Sequence, residues 1–453
     1  MAELEALKKD LVAKGVRICI ASFVDMHGVS KSKFVPIDHI EQMMGGSEMF
    51  TGAALDGVPQ QIQDEEVCCM PDAGGAMILP WKPEIALFPS DLWCEGKPFE
   101  ACSRNILNRQ IARAQEMGFT MNLGMEAEFF VFRDEGEDRG EEAGRDPVSA
   151  QQHLEKPAYD TGRLLDNIGW LQELVDAMNG LGWDVYSFDH EDGIGQVEID
   201  FAYANVRTMS DRFVFLRMMA NAIARKHGAY ASFMPKPFGE RTGSGAHFNM
   251  SLADASTGEN LFKDPGDPRG CGLSKIGYQF MAGILRHLQA IMAVVAPQVN
   301  SYKRLVKQGS MSGFTWAPIY ACYGNNNRTN AMRIPKGGGR VELRAADSAC
   351  NPYLGAALCL AAGLEGIEEG LDPGEPNTDN LYLISERERK RRKIALLPQT
   401  LEEAVAAFRK DSLSAAVFGD DMFNAWAEYK EQEWLSYLNH VSDWERHRYL
   451  RFF

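Results

Sequence analysis

Several features on which whole protein classes depend are missing from this chain of 453 residues. No apolar run approaches the roughly 18 residues that a membrane-spanning helix needs, and the charged N-terminal segment has no apolar signal sequence. There is no Gly-x-x-x-x-Gly-Lys-Ser/Thr motif, which excludes the P-loop class of nucleotide enzymes. The nine cysteines include no Cys-x-x-Cys pair, so neither a zinc site nor a disulfide framework is indicated. We therefore predict a reduced, cytoplasmic protein with no membrane partner.

The chain has fewer basic residues (47) than acidic ones (63), so its formal net charge is −16 at pH 7. This balance argues against a nucleic acid or an anionic membrane as partner. It leaves a nucleotide substrate open, since arginines can be concentrated in one place. The composition, 45% hydrophobic and 24% charged, is that of an ordinary globular protein. The length exceeds one average domain and the pattern changes at residue 103, so we expect a small mixed domain over 1–102 and a large domain over 103–453.

Local patterns predict the main helices and strands. In the first hundred residues they predict a helix over 3–14, strands over 16–24 and 31–35, and a loop over the Gly-, Asp- and Pro-rich residues 45–75. Further on they predict helices over 105–117, 164–180, 211–227, 277–295 and 352–369, and a hairpin of 184–191 with 196–201. The charged stretch 134–146 is expected to be mobile, and the basic run 387–393 to be a solvated face.

Four short segments alternate apolar and polar residues strictly, which is typical of strands with two unlike faces. They are residues 125–129 (MEAEF), 197–201 (VEIDF), 245–251 (GAHFNMS) and 340–344 (RVELR). One such strand alone is more often a surface ladder of charges. Several strands that converge carboxylates, a histidine and guanidinium groups on one surface favour a site for divalent metals and phosphate.

Six residues are candidate metal ligands: Glu126, Glu128, Glu191, Glu198, His247 and Glu342. Five carboxylates and one imidazole are too many for one Mg²⁺, which usually keeps several waters and takes one or two carboxylates. They suit two ions with three protein ligands each. Glu126 and Glu128 face the same way on a strand, so each can reach a different ion. A lone histidine is more often structural, and His247 is a candidate only because of the residues around it.

Five arginines form the second half of the candidate site: Arg304, Arg328, Arg333, Arg340 and Arg344. They lie among Asn, Gly and Pro rather than on a helix face. A guanidinium fork matches phosphate and carboxylate geometry and keeps its charge when it is desolvated. A nucleoside triphosphate together with an amino-acid carboxylate would use all five. The three glycines at 337–339 are a weak signal that fits a flexible turn equally well.

Ordered motifs over more than half of the chain resemble the glutamine synthetase family. They are residues 124–130 (GMEAEFF), 190–191 (HE), 195–198 (GQVE), 233–237 (FMPKP), 243–247 (GSGAH), 300–305 (NSYKRL), 327–328 (NR), 333–335 (RIP), 340–344 (RVELR) and 351–353 (NPY). The resemblance implies an α+β fold with a small N-terminal β-grasp-like domain. The large C-terminal catalytic domain would hold a mainly antiparallel sheet with surrounding helices. It also implies a homo-oligomeric ring, commonly a dodecamer of two stacked hexamers, with active sites between neighbouring subunits.

The same resemblance implies roles for the candidate residues. Glu128, Glu191 and Glu198 would hold one Mg²⁺ or Mn²⁺, and Glu126, His247 and Glu342 the other. Arg304 and Arg344 would grip the glutamate substrate, with Gly243 near its amino group, while Arg328, Arg333 and Arg340 would contact the ATP phosphates. Ser251 would lie near the adenine. Asn249 departs from the family pattern, in which many members carry a second histidine beside the nucleotide.

The reaction that the resemblance implies passes the γ-phosphoryl group of ATP to glutamate, and an amine then displaces phosphate from γ-glutamyl phosphate. Arg304, Arg328, Arg333 and Arg344 would be the catalytic cations. Some relatives are structural proteins without catalysis. We disfavour that alternative here because all six metal ligands and all five arginines are present.

The acceptor amine is where the chain departs most from ammonia-using relatives. Thr51 stands where they carry an ammonium-binding Asp, and Trp316 stands where they carry a Glu on a flap, after a longer insertion at 306–315. Losing two carboxylates weakens a compact cation site, while a tryptophan can pack against an alkyl group. We therefore favour methylamine, with γ-glutamylmethylamide as product, as in the γ-glutamylmethylamide synthetases and type III glutamine synthetases that the chain resembles within the family. The alternative is that Asp56 or Asp64 replaces the lost groups and ammonia remains the substrate.

Tyr382 falls about where some relatives carry a nucleotidylated tyrosine. The residues that follow, 384–393, are strongly basic and unlike the usual sequence there. We therefore expect an unmodified surface tyrosine.

Overall fold

The computed structural model describes residues 2–133, 156–306 and 316–452. The charged stretch 134–146 and nearly all of the insertion at 306–315 lie outside these ranges. No helix within them is long and apolar enough to cross a membrane. All nine cysteines are described, and each is a free thiol.

The N-terminal part is a seven-stranded sheet with two helices. Its strands are β1 Ile18–Val24, β2 Ser30–Pro36, β3 Met49–Phe50, β4 Val67–Pro71, β5 Met77–Ile78, β6 Ile85–Cys94 and β7 Lys97–Pro98. The order is β2-β1-β6-β4-β3, with β5 and β7 also paired to β6. β1 and β6 run parallel, and the other pairs are antiparallel. The helices are α1 Ala2–Ala13 and α2 Ile40–Met44.

Both faces of the central strand β1 are buried, which explains its nearly continuous apolar sequence. Cys19, Ala21 and Phe23 pack in a small core that also contains residues of α1 and α2. Ile20, on the opposite face, belongs to the large core of the C-terminal part. The N-terminal sheet is therefore packed between its own helices and the rest of the molecule.

The predicted loop over residues 45–75 was wrong in part. Residues Val67–Pro71 form β4, which pairs along β6 from Cys68 opposite Trp93 to Pro71 opposite Ser90. Val67 and Cys69 are fully buried, whereas the residues before them are exposed. The strand is held by pairing with a distant segment, and the Gly, Asp and Pro content of its surroundings concealed its short alternating pattern.

The C-terminal part is built on a nine-stranded, mainly antiparallel sheet. Its members are β8 Phe119–Arg133, β9 Val185–His190, β10 Gln196–Phe201, β11 Ala204–Asn205, β12 Ala229–Ser232, β13 Ala246–Asp254, β15 Tyr323–Asn325, β16 Met332–Ile334 and β17 Val341–Leu343. A separate pair joins β14 Tyr320–Ala321 to β18 Ala395–Leu396. The order is β15-β16-β17-β13-β8-β10-β9, with β11 and β12 also on β8. The predicted α+β fold class, with its β-rich N-terminal part and mainly antiparallel large sheet, is thus confirmed.

Helices surround this sheet. They are α3 Ser103–Glu116, α4 Thr161–Asp166, α5 Ile168–Gly180, α6 Val206–Lys226, α7 Lys275–Val295, α8 Pro352–Glu368, α9 Glu386–Arg391, α10 Leu401–Phe408, α11 Ser412–Phe418, α12 Asp420–Asn439 and α13 Asp443–Tyr449. The predicted helix 164–180 is interrupted at Asn167, whose amide group donates to the Arg163 carbonyl oxygen and whose side-chain oxygen accepts from Trp170. An Asn that bonds locally in this way offers the backbone an alternative to continuous helix.

A buried arginine ties the two parts together. Arg104, near the start of α3, donates to Asp72 and Asp91 of the N-terminal part, each at 2.8 Å. It also binds Asp211 of α6 through two nitrogens at 3.0 and 3.1 Å, and the Tyr353 hydroxyl donates to the same carboxylate at 2.6 Å. The two parts therefore share polar as well as apolar contacts, and the boundary at 102/103 stays a prediction.

His287 links α7 to two other helical segments. Its Nδ1 lies 2.7 Å from Asp411 Oδ1 and its Nε2 lies 2.8 Å from Glu365 Oε1. Burial alone would lower the pKa of His287, but the hydrogen bonds and charges of the two carboxylates outweigh it and raise that pKa. The protonated imidazole is therefore the form that stabilises this junction.

We expect His287→Gln to reduce the free energy of unfolding more at about pH 6 than at about pH 9, because a raised folded-state pKa gives stability that is lost as the pH rises through it. Urea unfolding of both proteins across this range measures the difference. His447→Gln, at an exposed position of α13, is the control. A difference that stays constant or widens towards alkaline pH would contradict this account.

Candidate active site

The register of the central strands brings the predicted ligands to one face of the sheet. Glu126 and Glu128 point the same way from β8. His247 of β13 lies directly opposite Glu126, and Glu198 of β10 lies directly opposite Glu128. Glu342 of β17 pairs with Asn249, two residues after His247 on the same face.

The first cluster contains Glu126, His247 and Glu342, with one potential ligand atom from each within 4.8 Å of the others. His247 Nδ1 is 2.6 Å from Glu126 Oε2 and 3.7 Å from Glu342 Oε1. Burial would raise the pKa of Glu126, but the hydrogen bond and charge of His247 overcome it and lower the pKa to about 2. Glu126 is therefore held as a carboxylate.

The second cluster contains Glu128, Glu191 and Glu198, again with ligand atoms within 4.8 Å of one another. Burial and the neighbouring carboxylates raise the pKa of both Glu128 and Glu198. Like charges held together in a buried place favour a proton or a cation between them. Oxygen-only donors of this kind suit Mg²⁺ or Mn²⁺, so the residues present fit the implied metals.

Two of the predicted arginines contact Glu342, which is completely buried. Arg344 Nη1 donates to Glu342 Oε1 at 2.7 Å, and Arg333 Nε lies 2.6 Å from Glu342 Oε2. Arg304 is also buried and donates to the carbonyl oxygens of Ala345 and Ala346. The contacts with Glu342 hold Arg333 and Arg344 next to the first cluster, a pairing that the sequence did not indicate.

A cavity of about 460 Å³ lies over the clusters. The predicted residues that line it are Glu128, Glu191, Glu198, Gly243, His247, Arg304, Trp316, Arg328 and Arg344. Arg340 and Asn249 adjoin the first cluster, because Arg340 Nε donates to Asn249 Oδ1 at 3.0 Å and Asn249 Nδ2 donates to Glu126 at 2.8 Å. Ser251 follows on the same face of β13, two residues further along.

Two glycines allow close packing beneath the cavity. A Cβ on Gly243 would lie 2.3 Å from the Pro235 carbonyl oxygen and 2.7 Å from Arg304 Cγ. A Cβ on Gly245 would lie 2.9 Å from His247 Nε2. Larger residues at these positions would displace an arginine and a candidate metal ligand.

Trp316 lines the cavity and has a left-handed backbone conformation, at φ 57°. Its indole N–H donates to Asp192 Oδ2 at 3.3 Å. The next carbonyl, of Ala317, accepts from the Tyr382 hydroxyl at 2.9 Å. The expectation that Tyr382 is a surface residue was wrong, because its side chain is buried against this segment. Its modification state stays a prediction.

Thr51 does not line this cavity in the described part of the chain. It lies in the N-terminal part, where its hydroxyl donates to Glu66 at 3.2 Å. The alternative carboxylates are engaged locally as well: Asp56 Oδ2 is 3.4 Å from His27 Nε2, and Asp64 accepts from the Gln61 backbone.

Sequence reasoning missed five polar residues that line the cavity: Lys156, Tyr159, Asp192, Gln196 and Thr242. Gln196 donates to Glu128 at 3.3 Å and to the Gly243 carbonyl oxygen at 3.0 Å, so it holds a ligand and a glycine in place. The position of Asp192 directly after the candidate ligand Glu191 was a signal that could have revealed it.

A larger groove of about 770 Å³ lies between α7 and residues 371–377. Its Arg286 is paired with Glu365 and Glu369, and its Arg392 with Asp379 and Glu388. These two arginines of the groove are therefore matched by carboxylates, and neither three-ligand cluster contributes a residue to its lining.

Comparison with known proteins agrees with this geometry. The family described as glutamine synthetase, catalytic domain, matches residues 100–449. The chain is 40% identical over 439 residues, 97% of each chain, to the glutamate–methylamine ligase of Methyloversatilis universalis. It is 35% identical over 451 residues, 98% of each chain, to a glutamine synthetase of Rhizobium leguminosarum bv. phaseoli.

A solved structure titled "GmaS/ADP complex-Conformation 1" superimposes with a TM-score of 0.90 at 36% identity, covering 98% of this chain and 99% of that one. A second, titled "Apo GmaS without ligand", gives a TM-score of 0.86 at 34% identity, with the same coverage. This chain belongs to the glutamine synthetase family, and the resemblance stated from its motifs is confirmed.

Proposed function

We propose that this protein is an ATP-dependent glutamate–amine ligase whose preferred acceptor is methylamine. The observation that carries the proposal is the pair of three-ligand clusters next to a cavity that is lined by arginines and by Trp316. The similarity to a glutamate–methylamine ligase over 97% of the chain supports it.

In this proposal two divalent ions, Mg²⁺ or Mn²⁺, bind in the clusters, one at Glu128, Glu191 and Glu198, the other at Glu126, His247 and Glu342. When bound, they supply positive charge beside the phosphoryl oxygens. Arg328, Arg333 and Arg340 contact the phosphates of ATP, and Asn249 and Ser251 lie beside the rest of the nucleotide. Arg304 and Arg344 hold glutamate, with the Gly243 backbone near its amino group.

The reaction has two steps. A γ-carboxylate oxygen of glutamate attacks the γ-phosphorus of ATP, the bond to the bridging oxygen breaks, and ADP leaves. A neutral amine then attacks the carbonyl carbon of γ-glutamyl phosphate, phosphate leaves, and the nitrogen loses a proton. The arginines contribute by position and electrostatics, since they stabilise negative charge on the transferring group.

Methylamine and ammonia differ by one methyl group, so their discrimination rests on the acceptor end of the cavity. Trp316 offers an apolar surface there and is 46% exposed. Burying one methyl group gives roughly 0.8 kcal/mol, or about a fourfold preference, before pocket closure contributes. Relatives named glutamine synthetase at 34–35% identity favour ammonia as the second candidate.

ADP release with ammonia, methylamine, ethylamine and putrescine tests the acceptor. We expect the highest kcat/KM with methylamine, at least about fourfold above ammonia. Reactions without glutamate are the control for uncoupled ATP hydrolysis. If kcat/KM for ammonia exceeds that for methylamine, the protein is a glutamine synthetase instead.

We also propose a homo-oligomer, a dodecamer of two stacked hexamers, in which Thr51 of one subunit approaches the acceptor end of a neighbour's cavity. The absence of Thr51 from the cavity of its own chain supports this, within the described residues. So do the exposed side chains of Leu438, Trp444 and Leu450 near the C-terminus, because large exposed apolar groups favour association. A cytoplasmic location stays a prediction from the sequence.

A further inference from the structure

Asp192 is a buried carboxylate whose role the proposed residue assignments leave open. It lies in the turn between β9 and β10, its side chain lines the cavity, and it is 7% exposed. Within the described part of the chain, the Trp316 indole N–H is the one hydrogen-bond donor to its carboxylate. Asp192 therefore has capacity for further hydrogen bonds from a bound molecule, since an ionised carboxylate can accept several.

No ion pair involving Asp192 is formed within 4.0 Å among the described residues, although Lys156, Arg304, Arg328 and Arg344 line the same cavity. Arg241, which is itself buried, interacts with Asp192 through its charge. The two side chains do not form an ion pair within 4.0 Å among the described residues, and Arg241 Nη1 is buried without a hydrogen-bond partner. Asp192 therefore lines the cavity without an ion-pair partner in the described part of the chain.

The side chain next to Asp192 suits the alkyl group of an alkylammonium ion. Trp316 presents an aromatic ring system next to the carboxylate, and such rings attract organic cations and cover alkyl groups. Trp316 is held in an unfavourable left-handed conformation, which persists only where the surroundings fix it. Here the Tyr382 hydroxyl binds the following carbonyl and Arg344 Nη2 approaches the Trp316 carbonyl oxygen at 3.4 Å.

We infer that Asp192 binds the positive charge of the acceptor amine, with Trp316 orienting the carboxylate and covering the alkyl group. The inference rests on the proposed function and deepens it. Ammonia-using relatives are expected to carry two acidic residues at the positions of Thr51 and Trp316. The inference assigns their role, recognition of the positive charge, to Asp192 instead. Asp192 acts as a fixed negative charge. It raises the local concentration of the ammonium form of the acceptor and fixes the position of that ion in the cavity.

The test compares a charged acceptor with an uncharged one of similar size. Methylamine is a cation at neutral pH, whereas hydroxylamine is largely uncharged. Asp192→Asn keeps the shape and an oxygen for the indole N–H but removes the charge. We expect the KM for methylamine to rise roughly tenfold or more, because a charge-assisted contact is lost. The KM for hydroxylamine, ATP and glutamate should change little.

Two further variants accompany this measurement. Trp316→Phe removes the N–H that orients Asp192 but keeps an aromatic ring. We therefore expect the KM for methylamine to rise relative to the KM for hydroxylamine, as in Asp192→Asn, but by a smaller factor. Asp176→Asn alters an exposed carboxylate of α5 and should leave both acceptors unaffected. Trp316→Phe keeps the test decisive if Asp192→Asn does not fold.

The possible outcomes separate this inference from the proposed function. Asp192→Asn could raise the KM for methylamine and the KM for hydroxylamine equally, or raise the metal concentration needed for activity. In either case Asp192 supports the metal cluster and the inference is wrong. An unchanged KM ratio in Trp316→Phe also overturns it. If the wild type prefers ammonia while Asp192→Asn still raises the KM for ammonium selectively, the charge role holds and methylamine is wrong as the acceptor.

Discussion

Glu342→Ala and His247→Ala are each expected to lower kcat/KM by on the order of 10³-fold or more, because both would weaken the cluster that we propose holds a divalent ion beside the phosphoryl group. Both residues belong to the cluster formed with Glu126. Removing either would leave two of the three potential ligands. ADP formation with saturating ATP, glutamate and amine, titrated with Mg²⁺ and with Mn²⁺, measures the loss and any shift in metal dependence.

A folding control is needed for Glu342, which is completely buried between Arg333 and Arg344. Removing one partner of a buried ion pair can cost about 3–5 kcal/mol of stability, so an inactive Glu342→Ala protein could simply be unfolded. Glu342→Gln retains the volume and a hydrogen-bond acceptor, and thermal unfolding identifies a folded variant. Glu368→Gln, at an exposed ion pair with Arg113, should retain full activity. Near-wild-type turnover in a folded His247 or Glu342 variant would remove that residue from the site.

The parts of the site that lie on strands could be predicted from the sequence because alternation reports side-chain direction. Glu126 and Glu128 share a face at any register, and so do His247 and Asn249. The register itself came from the structure: His247 lies opposite Glu126, and Glu198 opposite Glu128. Pattern alone could not assign six ligands to two groups of three, and the family resemblance supplied that division.

Sequence reasoning missed or misplaced features that depend on distant contacts. Tyr382 is 65 positions from Ala317, whose carbonyl oxygen it binds, and no periodicity connects the two. Asp192 is 124 positions from Trp316. The pairing of β4 with β6 is similarly non-local. In each case the determining interaction depends on tertiary packing, which overrides local composition.

Arg344→Lys is expected to reduce kcat/KM for glutamate by roughly 10- to 100-fold, because a lysine keeps the charge but loses the planar fork that matches a carboxylate. In the structure one nitrogen of Arg344 binds Glu342 at 2.7 Å, and the side chain still lines the cavity. Its other terminal nitrogen makes only a long contact of 3.4 Å with the Trp316 carbonyl oxygen, and in the proposed function a substrate carboxylate takes over that nitrogen. A lysine ammonium would be drawn towards Glu342 and leave the glutamate carboxylate without its second contact.

The matched control is Arg328→Lys, which changes the same chemical group in the same cavity. Since Arg328 is assigned to the phosphates of ATP, we expect Arg328→Lys to weaken the binding of ATP and to leave the binding of glutamate unchanged. This is the reverse of the result expected for Arg344→Lys. Steady-state kinetics with each substrate varied in turn, together with calorimetric titration of ATP into the glutamate-free protein, distinguishes the two patterns. If Arg344→Lys weakens ATP and glutamate equally, the residue serves the phosphates or holds Glu342 in place, because loss of a glutamate contact alone would leave ATP binding to the glutamate-free protein unchanged.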